Sequence, residues 1–234
     1  MPELRDLRVC NDSFPDRVEG QDFTILERLS TLTIDEFFWS KEVVKRVSNL
    51  KKLSFCGWLS GDDSLAQLNK PESLSLWLGN SRLEDIGFPT SLKKLTLWFG
   101  EIPWEKMTII GSSLPNLEVL YLHNAFEGAE WSPSEGEFLQ LKALVIRSEE
   151  LEHWGAEDIQ FPNLHGLYLE EMRNLKEIPL SIGDIYTLQS IDLIGCSVSA
   201  MNSAVEILKD PKEKGNESLQ VYVNGKQVHE EQVF

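Results

Sequence analysis

Apolar residues recur along the 234-residue chain first three and then two positions apart, in the pattern L-x-x-L-x-L. Its cleanest copies are Leu92-Leu95-Leu97 and Leu117-Leu120-Leu122. The same pattern returns at Leu4-Leu7-Val9, Leu29-Leu32-Ile34, Leu50-Leu53-Phe55, Pro71-Leu74-Leu76, Leu141-Leu144-Ile146, Leu164-Leu167-Leu169 and Leu188-Ile191-Leu193. First positions at 4, 29, 50, 71, 92, 117, 141, 164 and 188 give intervals of 25, 21, 21, 21, 25, 24, 23 and 24 residues. The alternation in Leu95-Thr96-Leu97 has the period of a strand, so the fourth and sixth positions of each unit face a core and the third, fifth and seventh face away from it. Between the strands the spacing changes. PWEKMTII opens on Pro103, suited to a first helical position, and is predicted to stop before Gly111. KEVVKRV, residues 41–47, predicts a helical turn or two, whereas Leu175, Ile178, Ile182, Ile185 and Leu188 keep to threes and fours, as turns and short 3₁₀ pieces do. Near the end, AMNSAVEILKD places Ala200, Ala204 and Leu208 on one helical face after Ser197-Val198-Ser199 and before Pro211. LQVYVNG then reads as a strand with an Asn224-Gly225 turn.

A strand unit repeated every roughly 20 to 29 residues is the signature of leucine-rich repeats. One unit cannot bury its own leucines, so the units must stack. The predicted fold is an α/β solenoid, a leucine-rich repeat horseshoe with short parallel strands on the concave side and irregular, 3₁₀ or short helical segments on the convex side. Residues 1–196 form an array of about nine repeats, and 197–234 a helix-and-strand cap of the same domain. No comparable cap precedes Leu4, so the sequence predicts either a longer parent chain or something that covers that end, with the longer chain favoured.

Composition narrows the function classes. Hydrophobic residues make up 41% of the chain and seven are tryptophan, which suits an ordered domain. The net charge of −16 opposes a phosphate-backbone binder. The charge is uneven: residues 1–117 hold 14 Lys/Arg against 17 Asp/Glu, and 118–234 hold 8 against 21. The two ends therefore meet different surroundings, unless the acids serve only solubility. Cys10, Cys56 and Cys196 are too few and scattered for a disulfide framework, and no signal peptide or long apolar span is visible, which predicts a reducing, cytoplasmic setting. The two N-x-S matches, at Asn11 and Asn216, are short enough to arise by chance.

From Phe88 onward the wording is more specific. FPTSLKKLTL, IPWEKMTIIGSSLPNLEVLYLHNAFEGAEW, FLQLKALVI and FPNLHGLYLEEMRNLKEIPLSIGDIYTLQSIDLIGCSVSA resemble the C-terminal leucine-rich repeats of plant intracellular immune receptors of the coiled-coil, nucleotide-binding type. The likeness is to the late-blight-resistance and helper kinds of the nightshades, and it covers 88–223 well and 1–87 in outline. It implies a non-enzymatic role in detecting pathogen effectors or transmitting activation, and in holding a nucleotide-binding switch inactive. The implied partners are proteins: an effector, a guarded host protein or the receptor's own nucleotide-binding domain. No G-x-x-x-x-G-K-[ST] is present, so ADP or ATP is expected only on that absent domain, with no cofactor, no nucleic acid and no membrane insertion for this chain. The rival reading is a stand-alone repeat adaptor that recruits a protein substrate to a ubiquitin ligase.

The candidate site follows from the repeat positions. Seventh positions run Trp77, Trp98, His123, Arg147 and Glu170, and fifth positions include Tyr121 and Tyr168. Trp, Tyr and Arg are the residues that carry binding energy at interfaces, so this concave column is a candidate protein-binding surface. The alternative is that these side chains only pack on the next rung. Lys52 and Lys94 at third positions, with Lys51 and Lys93 beside them, form a basic spot that either contacts an acidic face of the switch domain or is solvated. Glu149, Glu150, Glu152, His153 and Asp158 read as a solvated acidic loop with no fixed catalytic scaffold, and metal-ligand spacing is absent. Cys10 and Cys56 lie two rungs apart, roughly 10 Å, too far for a disulfide. Cys196, at a ninth position, reads as a structural residue turned inward.

Overall fold

The computed structural model describes residues 4–10, 28–39, 44, 47, 49–59, 64–68, 70–209 and 218–234. In chain order its strands are β1 (Asp6–Cys10), β2 (Thr31–Trp39), β3 (Lys52–Leu59), β4 (Ser73–Gly79), β5 (Lys94–Gly100), β6 (Ile102–Pro103), β7 (Val119–His123), β8 (Phe126–Glu127), β9 (Glu130–Trp131), β10 (Ala143–Arg147), β11 (His153–Trp154), β12 (Gly166–Glu170), β13 (Ser190–Ile194), β14 (Gln220–Val223) and β15 (Lys226–Gln227). Eleven of them form one sheet in the order β1-β2-β3-β4-β5-β7-β10-β12-β13-β14-β15, parallel as far as β14. The register matches the repeat positions without a slip through the L-x-x-L-x-L units: Leu7, Leu32, Leu53, Leu74, Leu95, Leu120, Leu144, Leu167 and Ile191 are successive partners. A one-residue slip would turn every leucine to solvent, so burial of this face fixes the pairing.

The backbone has its own ladder. From Arg5 to His165 the carbonyl of each second position accepts two N–H groups, from the second and third positions of the next rung: Ser30 O takes Lys51 and Lys52, Glu72 O takes Lys93 and Lys94, and Glu118 O takes Lys142 and Ala143. Side chains add links between rungs, with Asn116 Nδ2 donating to Thr90 O, Asn163 Nδ2 to Leu139 O and Thr187 Oγ1 to Pro162 O. Each such bond closes a polar group that the turn would otherwise leave open.

Behind the sheet the return segments pack on the leucines. Trp104–Lys106 is a 3₁₀ turn that leads into helix α1 (Met107–Ser113), which runs through Gly111, past the predicted stop. Pro103 lies in the short strand β6 instead of the first helical turn. The helix continues because Met107 and Ile110 bury against the core, and Gly111 is where the backbone passes Glu137: a Cβ there would sit 2.8 Å from that side chain. An aromatic stack runs across the next returns. Trp104 and Trp131 lie 5.1 Å apart, Trp131 and Trp154 5.8 Å apart with planes at 2°, and β9 pairs with β11 beneath them. The 3₁₀ segment Leu180–Asp184 occurs where the spacing in threes predicts one.

At the C-terminal side, Ser197 Oγ accepts the Ala200 N–H at 3.0 Å and caps helix α2 (Val198–Lys209), whose Ala200, Ala204 and Leu208 are buried with Met201, Val205 and Ile207. Strand β14 then adds a tenth rung in register on β13, and the Asn224-Gly225 turn, with φ of 50° and 77°, folds β15 back antiparallel. Of the 41–47 segment only Val44, helical and buried, and Val47, buried, are described. Asn11, Asn216 and Pro211 lie outside the described residues.

Candidate protein-binding site

The sheet face opposite the leucines carries the third, fifth and seventh positions, on the side that lines a horseshoe in this architecture. Register alone brings the seventh positions into a row: Trp77 partners Trp98, Trp98 partners His123, His123 partners Arg147, and Arg147 partners Glu170. The imidazole of His123 stacks on the Trp98 indole at 4.0 Å. Trp98 Nε1 donates to Ser75 Oγ at 3.1 Å, so this tryptophan is held from both neighbouring rungs and is half-buried. Trp77 is freer, with 45% of its surface exposed.

Among the fifth positions, Tyr121 receives Lys94 Nζ over its ring at 4.6 Å from the centroid, a cation–π contact that ties one of the candidate lysines to the aromatic row. Tyr168 lies over Gly166 on its own strand, where a Cβ would come within 2.8 Å of the ring. A glycine at that third position is what lets the tyrosine lie down on the sheet. Arg147 and Tyr168 are exposed, and Glu170 is half-buried.

Phe99 belongs to the same cluster, although the repeat positions do not indicate it. It occupies an eighth position with φ 40°, and its ring lies 4.6 Å from Trp77 and 6.5 Å from Trp98. Asn124, Glu171 and Gly195 are left-handed at the same position of later repeats, so the bend recurs, although Leu78 and Ser148 at that position lack it. Only Phe99 puts a large ring there. The available signal was the recurrence of Gly and Asn at eighth positions, which marks the left-handed bend.

The four candidate lysines divide into two sets. Lys51 pairs with Glu72 at 3.5 Å and Lys93 with Glu118 at 3.9 Å, along the edge of second positions, where Glu118 also takes Lys142 at 2.8 Å. The lysine partners hold the Glu118 carboxyl below the usual carboxylate range, Lys142 foremost. Lys52 and Lys94 instead stand on the open sheet face, both exposed.

The remaining polar groups are dispersed. Glu150 Oε2 accepts the Gly128 N–H at 3.0 Å, Glu152 pairs with Lys176 at 3.3 Å, and His153 is exposed on β11. They serve links between repeats and do not converge. Cys196 is buried with Sγ 3.3 Å from the Leu169 carbonyl, and burial pushes its thiol pKa up. Cys56 is half-buried, and the side chain of Cys10 lies outside the described residues. Among the described residues no group of His, Cys, Asp and Glu is placed to hold a metal ion, and no helix is long and apolar enough to cross a membrane.

No protein-family model matches the chain. The late blight resistance protein R1-A of Solanum demissum is 34% identical over 190 residues, 78% of this chain and 15% of that protein. Two putative late blight resistance protein homologues of the same species are 33% and 32% identical, each over 88% of this chain and over 17% and 28% of their own lengths. The chain thus spans well under a third of these relatives. Among solved structures, the leucine-rich repeat domain of the type III effector XopL covers 95% of this chain and 77% of its own at 19% identity and a TM-score of 0.46, a distance at which the strand register alone carries the fold. The chain is a leucine-rich repeat array homologous, over most of its length, to the late blight resistance proteins of Solanum demissum.

Proposed function

We propose that this array is the protein-recognition segment of an intracellular plant immune receptor, engaging an effector, a guarded host protein or the receptor's own nucleotide-binding switch through its open sheet face. The observation that carries this reading is the row Trp77, Phe99, Trp98 and His123, which presents stacked rings to solvent on a backbone whose leucines are already buried. Rings held in place before binding lose little freedom on binding, and interface energy concentrates in such side chains. Restraint of a nucleotide-binding switch is included and rests on the sequence resemblance to plant intracellular immune receptors. The chain acts by binding and holds no nucleotide of its own. The test is a photo-crosslinking residue placed at Trp77 or Tyr168, with one at the convex, exposed Tyr186 as control, in chains expressed in nightshade leaf. Protein adducts from the first two positions and none from Tyr186 are expected; adducts only from Tyr186 would move recognition to the other side of the solenoid.

A further inference from the structure

The open sheet face has a charge unlike that of the chain. Across β3, β4, β5, β7 and β10, the third, fifth and seventh positions include Lys52, Lys94 and Arg147 and not one Asp or Glu. The whole chain carries −16, so a random sample of its surface would be acidic. Acidic residues flank these strands at the same positions on both sides, at Asp6 on β1 and, by register, Asp35 on β2, and at Glu170 on β12 and Asp192 on β13. Among the described residues none of the three cations forms an ion pair, although Glu170 is the register neighbour of Arg147: the second-position lysines take Glu72 and Glu118, and Lys94 is engaged by the Tyr121 ring. Lys52 and Lys94 share the third position two strands apart, about 10 Å or about three extended residues. Arg147 lies two strands further and four residues along its strand, roughly 16 Å from Lys94 or about five extended residues. Tyr121 stands between Lys94 and Arg147, with Trp98 and Trp77 beside that line.

We propose that this face binds an extended acidic segment of a partner protein, laid obliquely across the strands, with carboxylates about three residues apart over Lys52 and Lys94 and another about five residues further on over Arg147. An aromatic or aliphatic side chain of the segment, between the second and third carboxylates, rests on Tyr121 and Trp98. The acidic residues on either side confine the segment to these five strands. The inference rests on the reading of this face as a protein-binding surface and adds the chemistry of what binds there. Long-range attraction works against a false positive, because a chain of −16 draws basic peptides and repels acidic ones. Selection of acid therefore has to come from the local face.

The test is an array of random-sequence peptides about ten residues long, each containing one Phe and together spanning strongly acidic to strongly basic charge, probed with the whole chain. The bound set is expected to be enriched in Asp and Glu at successive spacings of about three and about five residues. Lys94→Gln and Arg147→Gln, both at exposed positions and checked by melting temperature, are each expected to weaken an acidic hit about fivefold, and added salt to weaken it further. Peptides that bind irrespective of charge, and depend on Trp98 but not on Lys94 or Arg147, would overturn the acidic segment and leave the recognition face standing. Absence of any bound peptide would overturn both. A single-stranded oligonucleotide that binds more tightly than every peptide would overturn the protein partner in favour of nucleic acid.

Discussion

The ring of His123 lies flat on that of Trp98, with centroids 4.0 Å apart and planes at 8°. The two residues are register partners on adjacent strands, so the stack follows from the repeat itself. Parallel strands lie about 4.8 Å apart, close to the separation at which flat rings touch, so seventh positions of consecutive units can stack as Trp98 and His123 do; Trp77 and Trp98, also register partners, do not, and the Phe99 ring lies against Trp77 instead. The same geometry that makes the row a candidate surface makes it partly self-supporting. Packing on the next rung and binding a partner are not exclusive here: Trp98 does the first, and the exposed faces of Trp77 and Phe99 remain for the second.

This stack leads to a pH effect. Burial lowers the His123 pKa below its ordinary 6.5, Arg147 lowers it further, and Glu170 opposes both. With the folded value below the unfolded one, the unfolded chain takes up the proton first as pH falls. The group's cost to stability is absent above pH 6.5, grows as pH falls through the window beneath it, and is complete below the folded pKa. Wild type is expected to lose more melting temperature between about pH 7.5 and about pH 5 than His123→Gln does. An NMR titration of the ring with its midpoint at or above 6.5 would refute the burial account.

Most of the fold was legible because one spacing rule constrains nine strands at once. Every fourth-position residue from Leu7 to Ile191 is a register partner of the next, and from Leu32 onward each is buried. Legibility falls where contacts join return segments instead of strands. The stack Trp104-Trp131-Trp154 has steps of 27 and 23 residues with no motif around it, and only the three-dimensional return path brings the rings together. The stop at Gly111 was misread because a helical glycine can be required by a close neighbour, here Glu137, as well as by a helix end. In the candidate site the columns were legible from period two. Phe99 was not, because it departs from that period through a left-handed backbone.

Cys196 is expected to resist alkylation in the folded chain. Its thiol is buried, directed at the Leu169 carbonyl, and raised in pKa by that burial, so little reactive thiolate forms. Treatment with iodoacetamide followed by mass mapping is expected to leave Cys196 unlabelled until the chain is unfolded, with the half-buried Cys56 modified earlier. Labelling of Cys196 in the native state at the rate of Cys56 would show that this turn opens.

Phe99 stores strain that substitution can expose. A bulky residue at φ 40° costs roughly 1 to 2 kcal/mol, and its ring contact with Trp77 returns about 0.5 to 1.5 kcal/mol. Phe99→Gly removes both and is expected to change stability by less than about 1 kcal/mol. Phe99→Val keeps the backbone strain, loses the ring and is expected to be clearly less stable than the Gly variant. Urea unfolding of the three proteins decides it, and equal stability of the Val and Gly variants would mean that the backbone carries no strain.

Three truncations separate core from surface along one stretch of sheet. Leu120 is fully buried, with Leu95 and Leu144 as its register partners, so Leu120→Ala opens a cavity walled by both neighbours. The expected loss is roughly 2 to 5 kcal/mol, since a parallel sheet fixed on two sides cannot collapse into the gap. Trp98→Ala removes the stack on His123 and the hydrogen bond to Ser75, together worth about 1 to 2 kcal/mol. Tyr168 is 38% exposed and lies over a glycine, so Tyr168→Ala is expected to cost under about 1 kcal/mol. Stability therefore falls in the order Leu120, Trp98, Tyr168. Partner affinity is expected to follow a different order: Leu120→Ala keeps it wherever the chain is still folded, and Trp98→Ala loses about 2 kcal/mol or more, as a hot spot does. Calorimetric melting together with peptide titration reads both quantities on the same samples. If Trp98→Ala and Arg147→Ala melt far below wild type and bind as tightly, the row is packing and the recognition surface lies elsewhere.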